Sequence, residues 1–192
     1  MANFKIALLV GSNRRDSLNR KLAHAMAALA GPGFAFNLVQ IDDLPLYNQD
    51  LEGNMPASVA RLKSEIAAAD GLLFVTPEHN RSIPTVLKNA IDWGARPYGK
   101  NSWSGKPAAI TGTSPGAIGT AIAQQHLRQI LGVLGAIVMG GEAYVSFKPG
   151  LVDDTGKIAD DGTRAFLQAY VDQFASLVAR LAQPAEPRQA VA

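Results

Sequence analysis

The chain has 192 residues, 47% of them apolar and 18% charged, with a formal net charge of +2 at neutral pH. That length suits one domain with a full-sized core, and the slight charge, with no Lys/Arg block, is too mild to indicate a nucleic-acid partner, so none is expected. The absence of cysteine removes disulfides, thiolate metal sites and thiol nucleophiles.

The first predicted strand is Phe4 to Val10, an apolar run that stops at GSNRRDSLN, residues 11–19. This opening is a poor export signal, because its apolar run is short and leads straight into polar residues. No apolar run reaches membrane-spanning length, so a cytoplasmic protein without a membrane segment is expected. Leu18, Leu22, Met26 and Leu29 recur at helical spacing, with Asp16 or Ser17 as N-cap and Gly31-Pro32-Gly33 as the stop. Phe34 to Ile41 reads as the second strand, followed by a polar loop containing Pro45, Gly53 and Asn54. Pro56 is expected at the first position of a helix whose apolar stripe is Val59, Leu62, Ile66 and Ala69.

Gly71 to Thr76 is a continuous apolar run and a buried third strand, broken by Pro77. After the loop PEHNRS, Ser82 and Pro84 open a third helix lined by Ile83, Val86, Leu87, Ala90 and Ile91. Pro107 to Gly112 is the fourth strand, and GTSPGAIG is the loop after it. A long helix then carries Ile118, Ile122, Leu127, Ile130, Leu131 and Leu134. Ala136 to Met139 is the fifth strand, with Tyr144 and Val145 as its possible continuation. A turn-rich stretch over 146–162 precedes a last helix with Phe166, Tyr170, Phe174, Leu177 and Leu181. The aperiodic tail 184–192 is expected to be disordered, which leaves one domain over 1–183.

Strands alternating with helices predict an α/β fold with a five-stranded parallel sheet of order 2-1-3-4-5 and helices on both faces. In that order the loops 11–19, 76–82 and 112–119 surround one crevice at the carboxyl ends of the strands. The first loop leads into a helix N-terminus, where unpaired N–H groups and the dipole favour an anion. Ser12, Asn13, Arg14, Ser17 and Asn19 add donors there. It lacks the glycine fingerprint of a dinucleotide site, and the chain has no P-loop. The second loop can lie beside a planar ring. The third contains Gly112-Thr-Ser-Pro-Gly116, which matches a hydrolase nucleophile elbow. Pro115, however, has no N–H for an oxyanion hole, and no acid-then-histidine pair follows Ser114. His24 and His126 offer no metal pairing for His79. His126, Arg128 and Glu142 suggest either a solvated face or a subunit contact.

GSNRRDSLN resembles the GSxRxxSxN phosphate loop of the NADPH-dependent FMN reductase family. PEHN followed by IPTVLKNAIDW resembles that family's PEYN–x–PxxLKNAIDW segment, and GTSPGAIG with QHLRQIL resembles its third flavin loop and the helix behind it. The similarity runs from Lys5 to Gly141 and lies nearest the chromate/quinone reductases and azoreductase-like members. The resemblance implies a flavodoxin-like three-layer sandwich that binds FMN non-covalently. The FMN phosphate would meet Ser12, Asn13, Arg14, Ser17 and Asn19, with Leu18 contributing backbone. The isoalloxazine would lie against Pro77, Glu78, His79 and Asn80 and against Thr113, Ser114, Pro115 and Gly116.

The resemblance further implies NAD(P)H as co-substrate, with hydride passed through FMN to a quinone, flavin, azo compound or metal oxyanion such as chromate. A homodimer or homotetramer is implied as well. No side chain is assigned as general acid or base. Arg81, Arg15 and Arg96 are candidates for the nucleotide phosphates. His79 stands where the family has Tyr. The alternative is a flavodoxin-type electron carrier without NAD(P)H oxidation of its own; such carriers tend to be strongly acidic, and this chain is not.

Overall fold

Continuous apolar runs become the centre of the sheet. In the computed structural model, which describes residues 4–153 and 155–182, β1 (Phe4–Val10) is buried from Ile6 onward and β3 (Gly71–Val75) is buried throughout. Both faces of these strands are covered, so neither shows the alternation of a half-exposed strand. With β2 (Phe34–Leu38) and β4 (Pro107–Ser114) they form a parallel sheet. Its order is β2-β1-β3-β4-β5, as expected, with β5 spanning Ile137–Val138. The tail 184–192 lies outside the described residues.

Helices cover the two faces. On one side α2 (Ala57–Ala67), α3 (Thr85–Gly94) and α4 (Ala121–Val133) bury Leu62, Ile91, Trp93 and Leu127 with Leu9, Leu72 and Phe74 of the sheet. On the other, α1 (Leu18–Leu29) and α5 (Asp161–Ala182) bury Leu22, Met26 and Phe174 with Leu8, Leu73 and Val75.

Several boundaries differ from the sequence expectation. β2 ends at Leu38 rather than Ile41, although Val39 still donates to Leu8 O at 2.9 Å. Pro56 is the N-cap of α2 rather than its first residue, and a 3-10 turn spans Gln49–Asn54. β4 runs on to Ser114, because its last residues pair with an added strand, β6 (Ala143–Ser146). Ile118 precedes α4, and it and Ile122 face outward. The buried stripe of α5 is Leu167, Tyr170, Val171, Phe174 and Val178, leaving Phe166 and Leu181 exposed.

The fifth strand position is split. β5 pairs with Pro107 and Ala108, and β6 pairs with Thr111 to Ser114. Between them Ile110 has no strand partner on that edge, and the buried hydroxyl of Tyr170 takes the place of one. It donates to Ile110 O at 2.7 Å and accepts from Ile110 N at 3.2 Å. Tyr170→Phe removes both hydrogen bonds, each contributing about 0.5–1.5 kcal/mol net. It is expected to lower stability by about 1–3 kcal/mol, read as a lower urea midpoint at unchanged slope. The break itself is held by Arg128, which donates to Met139 O at 2.8 Å and to Gly141 O. Glu142 accepts from Gln125 Nε2 at 2.5 Å. Arg128 and Glu142 thus bond within the chain.

Candidate functional site

Parallel strands all end on one edge, and every following helix starts there. The carboxyl ends of β1, β3 and β4 with their loops enclose a cleft of about 480 Å³. In loop one, Gly11 N donates to Val75 O at 2.9 Å, extending the ladder. A Cβ at Gly11 would lie 2.7 Å from Thr76 Oγ1, so the close approach requires glycine. Ser17 is the N-cap of α1, its Oγ accepting from Arg20 N at 3.1 Å. Ser12, Asn13 and Arg14 line the cleft, and their side chains make no hydrogen bond among the described residues.

Asn19 is 3% exposed and uses its whole amide on β4. Its Oδ1 accepts from Thr113 N and its Nδ2 donates to Thr113 O, both at 2.9 Å. Thr113 lies beyond the last paired residue of β3, which turns away at Pro77. The side-chain amide therefore replaces a strand partner and ties helix α1 to the end of β4.

In loop three, as the 76–82 loop after β3 is called, His79 and Ser82 exchange two backbone hydrogen bonds of 2.9 Å. Asn80 and Arg81 between them have φ of 49° and 63°. This is a two-residue hairpin with both central residues left-handed, a type I′ pattern that suits Asn better than Arg. Arg81 is held by an ion pair with Glu78 at 3.1 Å. The other Glu78 oxygen accepts from Ile122 N at 3.0 Å and Ala123 N at 3.1 Å. These are first-turn donors of α4, whose N-cap Thr120 gives no side-chain bond. The carboxylate of Glu78 thus caps a distant helix.

Loop four, residues 112–119 after β4, packs against loop three. A Cβ at Gly112 would collide with the carbonyl oxygen of Thr76. Thr113 Oγ1 donates to Val145 O at 2.8 Å. Ser114 Oγ donates to Gly119 O at 2.6 Å and accepts from Gly116 N at 3.2 Å. The serine of the elbow-like motif is a loop strut with no histidine partner among the described residues.

The cleft gathers Ser12, Asn13, Arg14, Ser17, Leu18, Asn19, Pro77, Glu78, His79, Thr113, Ser114 and Pro115. Asn80 and Gly116 stand outside its lining, in the hairpin tip and the exposed loop. Gly11, Pro84, Thr85 and Val86 line it without having been singled out. The signal for the last three was Pro84, which starts a helix on the carboxyl edge. Pro84 caps α3 with no side-chain bond, so first-turn N–H groups of α3 lack a capping side chain beside the cleft. Two helix N-termini, those of α1 and α3, border one cavity.

Of the arginines considered for the nucleotide, Arg15 and Arg81 are exposed. Arg96 is paired with Glu52 at 2.6 Å. Tyr47 also donates to Glu52, and that hydrogen bond, followed by the one from Arg96, holds the carboxyl below its usual range. Asn89 and Trp93, one turn apart on α3, both donate to Pro45 O at 2.9 and 2.8 Å. This explains the Asn and Trp of the KNAIDW segment as anchors for the 45–55 loop. No group of three or more metal-binding side chains exists among the described residues.

The sequence model of the family described as NADPH-dependent FMN reductase matches residues 4–150. The chain belongs to the NADPH-dependent FMN reductase family. Members of this family bind FMN and use NAD(P)H as reductant, and this chain is an oxidoreductase of that kind. It is 51% identical over 175 residues to a 2-hydroxy-1,4-benzoquinone reductase from a Burkholderia species, covering 91% of this chain and 96% of that one. It is similar to the solved structure of FerB, a flavoenzyme NAD(P)H:(acceptor) oxidoreductase from Paracoccus denitrificans. The TM-score is 0.89 at 47% identity, over 92% of this chain and 98% of FerB. A flavodoxin variant from Pseudomonas aeruginosa has a TM-score of 0.57 at 19% identity, over 92% of this chain and 99% of that one. That likeness shows the flavodoxin-like fold alone, so the electron-carrier alternative is not favoured.

The residues present fit FMN. Ser12, Asn13 and Arg14, without side-chain partners among the described residues and in the loop that leads into α1, suit a phosphate. The glycines at 11 and 112 let loops one and four pack closely on Thr76, so that both loops meet beside the cleft where a ring would lie.

Proposed function

We propose that this chain is an FMN-dependent NAD(P)H:quinone oxidoreductase, a single domain over 1–183 with its cofactor in the cleft described above. The observation that carries the reading is the pairing of two helix N-termini with side chains of loop one that have no partner among the described residues. Ser12, Asn13, Arg14, Ser17 and Leu18 would hold the phosphate, with Asn19 setting their position. Pro77, Glu78 and His79 would border the ring on one side, Thr113, Ser114 and Pro115 on the other, with Asn80 and Gly116 shaping the two loops. Bound FMN supplies the two-electron redox chemistry. The chain's own residues bind and orient, and none is assigned as general acid or base. Exposed Arg15 and Arg81 would attract the phosphates of NAD(P)H. His79 lies at the cleft mouth, where it would bear on the choice of acceptor.

The quinone class is supported by the named activity of the 51%-identical relative. Flavins, azo compounds and chromate are the competing acceptors. The test is to purify the protein, look for flavin absorbance, and follow NAD(P)H oxidation with and without 1,4-benzoquinone. A colourless protein that takes up no FMN sinks the reading. Arg14→Ala is expected to weaken FMN binding about tenfold, as for one charge-assisted hydrogen bond. Fluorescence titration of the apo-protein measures this, and an unchanged affinity would mean that the phosphate lies elsewhere.

A homodimer or homotetramer is part of the proposal. Its support is an apolar groove beside α3 and α4, where Leu46 is 74% and Val133 83% exposed. Light scattering reads the assembly. No described helix is long and apolar enough to cross a membrane, and a cytoplasmic location, where NAD(P)H is abundant, completes the reading.

A further inference from the structure

A second cavity, of about 310 Å³, opens on the other side of loop one, at the carboxyl ends of β1 and β2. Ser12 and Asn13 line both it and the flavin cleft, so the two chambers adjoin at the phosphate loop. Arg20, in the first turn of α1, lines the second chamber. Its side chain makes no hydrogen bond or ion pair among the described residues, and its Nε is closed off from solvent without a partner. The contrast with Arg61, Arg96, Arg128 and Arg164 is plain, since each of these donates to a carboxylate or carbonyl.

Asp42 lines the same chamber and likewise takes no partner among the described residues. It lies beyond salt-bridge distance of Arg20, so the cavity keeps a guanidinium and a carboxylate apart. Leu38, 42% exposed, and Ile41 add an apolar wall.

These groups differ in what they recognise. A guanidinium forks onto a phosphate. A carboxylate after the second strand accepts from the hydroxyls of a ribose. An exposed apolar wall accepts the face of a base. An anion alone would leave Asp42 unfavourable, and a sugar alone would leave Arg20 without use. A nucleoside 5′-phosphate uses all three.

We propose that this chamber is a subsite for the nucleoside 5′-phosphate half of a dinucleotide whose other half occupies the flavin cleft. The inference rests on the flavin reading above. Two dinucleotides carry this chemistry, FAD and NAD(P)H, and they are told apart by which ligand senses Arg20.

The test titrates apo-protein with FMN and with FAD, and FMN-loaded protein with AMP, in the wild type, Arg20→Ala and Asp42→Asn. If FAD is the source, the wild type binds FAD at least tenfold tighter than FMN, and Arg20→Ala abolishes that advantage while FMN affinity stays the same. If NAD(P)H is the source, FAD has no advantage, but AMP binds the FMN-loaded protein and competes with NADH. Arg20→Ala then weakens AMP at least tenfold, and Asp42→Asn weakens it severalfold. The proposal is overturned if FAD binds no tighter than FMN and AMP neither binds nor competes. It is equally overturned if Arg20→Ala, folded by circular dichroism, changes none of these. A wild type that takes up no FMN at all overturns the flavin reading instead.

Discussion

Asn19→Ala is expected to lower the stability of the apo-protein by about 2–6 kcal/mol, since it leaves a buried donor and a buried acceptor unpaired at about 1–3 kcal/mol each. Both are on Thr113, whose backbone meets the Asn19 amide through two 2.9 Å bonds. Water does not readily replace the amide, because Asn19 and Thr113 are 3% and 1% exposed. The substitution also detaches the end of β4 from the start of α1, so loops one and four lose their common register. FMN affinity should therefore fall at least tenfold even below the unfolding transition, where the protein is still native. Urea unfolding of the apo-protein and fluorescence titration with FMN measure the two effects separately. Lost stability with unchanged FMN affinity would mean that the clamp serves the sheet and not the site.

The sheet order was legible because its central strands are uninterrupted apolar runs and each is followed by a helix-forming segment. The loops between strand and helix then had to meet on one edge. Twelve of the fourteen expected site residues line the cleft for that reason. What could not be read were side-chain destinations far along the chain. Asn19 and Glu78 are short polar or acidic groups in motifs that suggest a ligand. Their partners lie 94 and 44 positions away, where only tertiary packing brings them into reach. Both pieces of the edge strand, Ile137–Val138 and Ala143–Ser146, fall on the expected fifth strand and its continuation. The break between them was hidden for a similar reason, because the filler of the gap, Tyr170, comes from the last helix. The stripe of α5 was placed on partly the wrong face because apolar residues occupy both. Phe166 and Leu167 are neighbours, and periodicity alone does not choose between them. Arg20 drew no attention in the sequence because a basic residue in a helix is ordinarily solvated. Only the missing partner makes it informative.

Glu78→Ala is the second large effect. The carboxylate supports two elements at once: it accepts from the first-turn donors Ile122 N and Ala123 N of α4, and it anchors Arg81 at the tip of the 79–82 hairpin. Loss of a cap costs about 0.5–2 kcal/mol, and loss of the charge at the helix N-terminus adds about 0.3–1 kcal/mol. The hairpin also loses the contact that holds Arg81 in a left-handed conformation disfavoured for its side chain. The alanine variant is expected to be about 1–3 kcal/mol less stable and to bind FMN several times more weakly. Glu78→Gln should fall between it and the wild type, because an amide oxygen still accepts from both N–H groups but carries no charge. Arg81→Ala separates the two functions. It leaves the cap of α4 in place and removes only the tether, so its stability should be near that of the wild type while its benzoquinone KM shifts with the freed hairpin. If instead Glu78→Ala loses flavin no faster than Glu78→Gln in a dialysis time course, the carboxylate is a helix cap alone and the hairpin is rigid without it.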